Sequence, residues 1–169
     1  MYDYKLIQVM LLIKLKMPPK IKILEAAGAI ADGRITIEKA NDETIIAKVI
    51  SSERDKTYKV IIKKANDDYI VYSDDNGTKL RGYVGYPIIS VMMLTGLLSR
   101  DQNVEDALKE IEWRKLNETY KKYYVVEEIV LKKAEPKLPR SYILDFRNNI
   151  LNELEKIKIF YDENLSSLA

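Results

Sequence analysis

Residues 68–100, DYIVYSDDNGTKLRGYVGYPIISVMMLTGLLSR, decide how the rest of the chain can be arranged. Asn and Gly both tolerate positive φ, so Asn76-Gly77 suits the centre of a type I′ turn between antiparallel strands. With those two residues as the loop, Asp74 faces Lys79, Ser73 faces Leu80, Tyr72 faces Arg81 and Val71 faces Gly82. Side chains alternate across a strand. One face of the expected hairpin carries Tyr69, Val71, Leu80 and Val84 as a core face, and the other carries Ile70, Tyr72, Arg81 and Tyr83. Past Gly85 the period changes. Pro87 fits the first turn of a helix, where its missing N–H costs nothing. Residues 88–98 are apolar apart from Ser90, Thr95 and Gly96, and the run is far short of the roughly 20 residues a bilayer span requires. It predicts a helix buried on most sides.

Working outward, Pro18 to Asp32 predicts a helix that starts near Pro19 and stops at a left-handed Gly33. Its Ala26, Ala27, Gly28 and Ala29 allow close approach of a neighbour. Strands follow over 34–39, 44–50 and 56–64, where apolar and polar residues alternate, with polar connections between them. With the hairpin this makes an α+β fold: a five-stranded antiparallel meander packed with N-terminal, central and C-terminal helices. Beyond Leu98, Asn103 can cap a helix whose first turn carries Glu105 and Asp106. A helical stripe runs on through Trp113, Leu116 and Tyr120 to Leu131, although Tyr123-Tyr124-Val125-Val126 also suits a strand. A last helix is expected from Pro139 to Tyr161 on the spacing of Ile143, Phe146, Ile150, Leu154 and Ile157. The organisation expected is an N-terminal arm over 1–17 (a strand or packing segment), a helix–meander–helix core over 18–100, and a C-terminal helical part over 101–169 in the same compact domain.

The same stretch carries one family resemblance. Tyr58-Lys59-Val60 is followed by Val71-Tyr72-Ser73, then by Gly85-Tyr86-Pro87, with Ile88 to Met93 as an apolar helix. This order resembles SWIM-type zinc fingers, in which a Y-x-V strand leads to Cys-x-Cys on a hairpin and Cys-x-His opens a helix. The resemblance covers about residues 45–98 and departs at the ligands: Val71, Ser73, Gly85 and Pro87 stand where the four would be. With no Cys or His anywhere, thiolate and imidazole are absent and a structural zinc site has no ligands. The resemblance implies packing in place of the metal. SWIM domains occur in chromatin-remodelling ATPases, Mutator-type transposases and recombination-associated proteins, which implies a role in protein or nucleic-acid contacts.

Composition narrows the function classes further. Of 169 residues, 28 are Lys or Arg and 26 Asp or Glu, a net charge of +2 with no histidine, so the chain lacks the strongly basic balance of a dedicated electrostatic nucleic-acid binder. A local patch remains compatible with that balance. Lys, Glu, Ile and Tyr are abundant and Gln is rare, the composition expected of a hyperthermophile, although nine Asn run against it, and the resemblance above is to such a domain in an archaeal protein. Leu6 to Leu15 is apolar, but Lys14, Lys16, Lys20 and Lys22 interrupt any continuation into a membrane span, and no small-residue cleavage site follows. The expectation is a cytoplasmic protein without a membrane segment, with Met17 a second candidate start and a partner subunit one candidate surface for the arm.

Histidine and cysteine catalysis are excluded by composition. Asp74-Asp75 could gather oxygens for a hard cation, but aspartate before Asn-Gly is ordinary hairpin material. Asp67-Asp68 reads the same way. Ser51-Ser52-Glu53 lacks a partner base, Lys63-Lys64 reads as a solvated strand end, and no phosphate loop or dinucleotide fingerprint occurs. No catalytic residue, metal ligand or cofactor is therefore expected. The remaining constellation is Tyr72, Lys79, Arg81 and Tyr83 on the outer hairpin face, where aromatics interleaved with cations can stack bases and hold phosphates. Alternatively a C-terminal helix covers that face and buries the tyrosines. The functional expectation is a non-catalytic interaction module with a protein partner or self-association. The alternatives are nucleic-acid binding through that hairpin face and a carboxylate-dependent enzyme without a cofactor.

Overall fold

The computed structural model describes residues 12–168. Strand β1 (Ile13–Lys14) precedes helix α1 (Ile21–Ala31) and the strands β2 (Ile35–Ala40), β3 (Thr44–Ile50), β4 (Thr57–Ala65) and β5 (Asp68–Ser73). Helices follow as α2 (Asn76–Lys79), α3 (Tyr86–Leu94), α4 (Gln102–Ala107), α5 (Trp113–Tyr120), α6 (Tyr123–Ala134) and α7 (Arg140–Glu155), and strand β6 (Ile159–Tyr161) leads to a 3-10 turn, Glu163–Leu168. The six strands lie in the order β1-β6-β5-β4-β3-β2. All pairings are antiparallel except β5–β6, which is parallel with Ile70 opposite Phe160.

The fold is α+β, but the sheet corrects the five-stranded meander. Four strands, β2 to β5, form an antiparallel meander, and the Asn76-Gly77 hairpin does not form. Asp75 accepts a hydrogen bond from the Thr78 N–H and caps a helical turn over the residues expected to reverse the chain. Gly77 is absent from the positive-φ glycines, and the left-handed position falls instead at Gly82, φ 72°. Residues 79–84 therefore form no strand. Tyr83 makes only an isolated bridge to Lys16, and Leu80, expected in the core, is 75% exposed. The place beside β5 is taken by β6. The tight two-residue connection in the sheet is Asn66-Asp67, between β4 and β5, with Asn66 at φ 59°.

The helices are corrected at their ends. Asp101, not Asn103, caps α4, its side chain accepting from the Val104 N–H at 3.1 Å. The long stripe after Trp113 breaks where Lys121 adopts φ 55° and Lys122 is extended, and residues 123–126 are helical rather than strand. The last helix ends at Glu155, so Ile159–Tyr161 belongs to the sheet. Of the expected arm, Ile13–Lys14 forms an edge strand, and residues 1–11 lie outside the described residues.

One hydrophobic cluster reaches from Leu15 to Ile159, and α1 and α3 form its centre. Helix α1 packs against α3, α4, α6 and α7, and α3 is buried throughout Pro87–Met93. Val60, Ile62 and Val71 face this cluster. Their strand neighbours Ile61 and Tyr72 point to the opposite face, where with Ile46 and Leu165 they make a small second cluster under the 3-10 turn. Gly28 is where α1 meets the fully buried Trp113: a Cβ there would lie 2.6 Å from the indole Nε1.

Gly28→Ala is predicted to lower stability although alanine is the better helix former by about 1 kcal/mol. A buried indole cannot swing aside as a flexible chain end can, and overpacking costs about 1–3 kcal/mol. A Tm lower by a few degrees in calorimetry is expected. An unchanged or raised Tm contradicts this packing.

Candidate functional site

A cleft of about 530 Å³ lies between α1, the loop 75–83 and the α5–α6 turn. Its wall on the loop side is pinned by Asp75, which is 5% exposed. The Ser73 hydroxyl donates to Asp75 Oδ1 at 2.5 Å and the Thr78 N–H to Oδ2 at 3.0 Å. The Gly85 N–H in turn donates to the Thr78 hydroxyl at 3.1 Å, and a Cβ on Gly85 would lie 2.1 Å from Asp75 Oδ2. A glycine is thus required for this close approach. On the same loop, Gly77 leaves room for the Tyr83 ring, which a Cβ would meet at 2.5 Å.

Four tyrosines line the cleft. Tyr58 and Tyr86 meet edge to face with ring centroids 6.3 Å apart, and the buried Arg34 guanidinium lies 5.8 Å from the Tyr86 ring. At the mouth, Arg81 Nη1 donates to the Tyr123 hydroxyl at 3.0 Å, and Lys22 Nζ sits 5.6 Å from the Tyr123 ring centroid. Burial pushes the Tyr83 hydroxyl up to about 12, with the neighbouring Tyr123 adding to a shift that Lys22 opposes. Burial also raises Tyr58 and Tyr86, so these rings stay neutral donors at ordinary pH. For Lys22, burial opposes the charge, but the Glu25 carboxylate 2.9 Å away outweighs it and the pKa is raised. Lys22 stays cationic.

The cleft is basic although the chain is nearly neutral. Lys22, Lys56, Arg81, Arg114, Lys121 and Lys122 line it, against the carboxylates Glu25, Asp75 and Glu118. Each carboxylate is already engaged: Glu25 by Lys22, Glu118 by Arg114 at 3.1 Å, and Asp75 by Ser73 and Thr78. Arg114 also pairs with Asp55 and with Glu53, which fastens α5 to the β3–β4 connection. Among the described residues, Lys56, Arg81, Lys121 and Lys122 have no carboxylate within ion-pair distance. Three of these, Arg81, Lys121 and Lys122, are exposed beside Tyr123 or on its turn.

Of the residues singled out from the sequence, the structure brings Arg81 and Tyr83 together in this cleft and places the other two elsewhere. Tyr72 is buried on the opposite sheet face against Tyr161, ring centroids 5.9 Å apart, and Lys79 Nζ lies 3.5 Å from Glu163 beside the 3-10 turn. Sequence reasoning missed Lys22, Tyr86, Arg114 and the α5–α6 turn. Its one local signal was the run Lys121-Lys122-Tyr123-Tyr124, basic then aromatic, at a helix break. Among the described residues no three His, Cys, Asp or Glu side chains gather as a metal site would, and no helix is long and apolar enough to cross a membrane.

Burial holds the Asp75 carboxyl above its ordinary value of 3.8, with the Ser73 and Thr78 bonds opposing. A folded-state pKa above the unfolded one means the folded protein holds the proton more tightly. This group's contribution to stability is then fully present below about 3.8 and is lost as pH rises through the folded value. Asp75→Asn removes the titration, so the wild type is predicted to lose stability relative to Asp75→Asn as pH rises from 4 towards neutrality. Asp75→Ala, which orphans the Ser73 and Thr78 donors, is predicted to lose about 1–3 kcal/mol in urea unfolding. Parallel pH–stability curves for wild type and Asp75→Asn contradict the first expectation.

Neither a search of curated proteins nor a search of solved structures returns a match. A family model described as "Uncharacterised conserved protein UCP014422" matches residues 15–160, from the end of β1 into β6. The chain belongs to that family.

Proposed function

We propose that the protein is a non-catalytic interaction module: a zinc-less SWIM-like core that presents a basic, tyrosine-lined cleft to an anionic partner. Two observations support the SWIM-like part. The antiparallel pair β4–β5 is followed by an apolar helix opened at Pro87, the order that the resemblance implies. Ser73 and Gly85, two of the four positions at which SWIM domains carry metal ligands, converge on Asp75, while Val71 and Pro87 are buried. A hydrogen-bonded carboxylate and a close backbone contact then join strand and helix, as a tetrahedral metal would.

The observation that carries the binding role is the charge arrangement. Every carboxylate lining the cleft is engaged, and four cations are left without one. Cations gathered in a concave, partly desolvated setting attract an anion more strongly than the same charges dispersed on a convex surface. The engaged carboxylates leave little for acid–base chemistry, which is why a binding role is preferred to an enzymatic one.

Fluorescence anisotropy with labelled heparin and labelled nucleic acid, at low and physiological salt, tests this. Binding is predicted to weaken steeply with salt, with a log–log slope shallower by about 0.7 for each phosphate contact removed on a single strand. Lys121→Ala/Lys122→Ala should weaken all polyanions alike and flatten the slope. No binding at either salt, or binding indifferent to the double change, contradicts the proposal.

A further inference from the structure

We infer that the anionic partner is single-stranded nucleic acid, with one unpaired base stacked on Tyr123 and its flanking phosphates held by Arg81, Lys121 and Lys122. This rests on the binding role proposed above and names the partner. Tyr123 opens α6 and is 38% exposed, and its orientation is set from two sides: Arg81 holds the hydroxyl and Lys22 lies over one face of the ring, so the base would stack on the other. A base that stacks there meets a ring already ordered, so little side-chain entropy is lost on binding. Lys22 is itself held by Glu25, and the neutral Tyr83 lies on the adjacent loop.

The cations lie where a strand's phosphates would run. Lys121 and Lys122 immediately precede Tyr123, and Arg81 reaches it from the facing loop, so positive charge flanks the ring on two separate segments. Lys121 is in the left-handed conformation at φ 55°, an uncommon choice for a residue with a Cβ, and this turn carries its charge into the cleft rim. A duplex keeps its bases stacked on one another and cannot present a ring face to a tyrosine, whereas an unpaired base can. A volume of about 530 Å³ accommodates a base with its sugar and phosphate. An acidic peptide would use the cations but leave the tyrosine rings without a matching face.

The test compares fluorescein-labelled oligothymidylate with a hairpin duplex of the same stem sequence in anisotropy titrations, with AMP as competitor. The single strand is expected to bind at least about ten-fold more tightly than the duplex. Tyr123→Leu is expected to weaken the strand about ten-fold and heparin by much less, while Tyr123→Phe, which keeps the ring, retains strand binding within about three-fold. AMP is expected not to displace the strand at concentrations comparable with it. Equal binding of strand and duplex, or Tyr123→Leu without effect on the strand, overturns the inference while leaving polyanion binding intact. Displacement by AMP as efficient as by the strand itself also overturns it, since a free nucleotide is then the ligand. Absence of any polyanion binding removes both this inference and the role on which it rests.

Discussion

A carboxylate removed from water must find donors, and Asp75 finds them in its own loop. The cost of leaving a buried polar group unsatisfied is of the order of 1–3 kcal/mol, and more for a charge. Ser73 and Thr78 meet that demand from either side, and Gly85 allows the next helix to begin against the carboxylate itself. The rest of the arrangement depends on this. Because the chain turns into helix at Asn76, it leaves the sheet instead of folding back along β5. The vacated edge then accepts β6 in parallel, and β6 in turn accepts β1. The loop so fixed becomes one wall of the cleft, with Arg81 and Tyr83 carried on its far limb.

The cleft shows how a nearly neutral chain can build a basic site. Arg114 draws Glu53, Asp55 and Glu118 to itself, and Lys22 draws Glu25, so the acidic groups nearby are consumed pairwise. The cations on the rim are left facing the opening. Exposed ion pairs add little to stability, generally under about 1 kcal/mol. Their effect here is on the electrostatic field at the mouth of the cleft, beside the rings of Tyr58, Tyr83, Tyr86 and Tyr123.

Periodicity and local chemistry disclosed some of this and concealed the rest. The 44–50 strand agrees with β3 at both ends, because Ile45, Ala47 and Val49 alternate cleanly and Asn41 accepts from the backbone N–H groups of Glu43 and Thr44 at the turn before it. Helices α1 and α3 were legible from apolar spacing and their Pro and Gly boundaries. Asn76-Gly77 misled because Asp75 and Thr78 flank it: the same residues serve a hairpin or a capped helical turn, and only the burial of Asp75 decides for the turn. β6 was hidden because three residues with Ile157 at helical spacing extend an amphipathic helix as convincingly as they form a strand. Arg81 and Tyr83 lie in one cleft because they remain neighbours however their segment folds, whereas Tyr72 and Lys79 lie elsewhere. Lys22, Tyr86, Arg114 and Tyr123 come from separate segments, and no local pattern brings them together.

The Asp75 knot fixes the loop and so preforms the cleft. Native-state hydrogen exchange at the Thr78 and Gly85 amides tests it most directly, since those N–H groups donate to Asp75 and to the Thr78 hydroxyl. Both are predicted to exchange as slowly as the amides in the second half of α3, opening only with the core. Exchange at the rate of an exposed loop would show the knot to be a passing contact and the cleft not to be preformed.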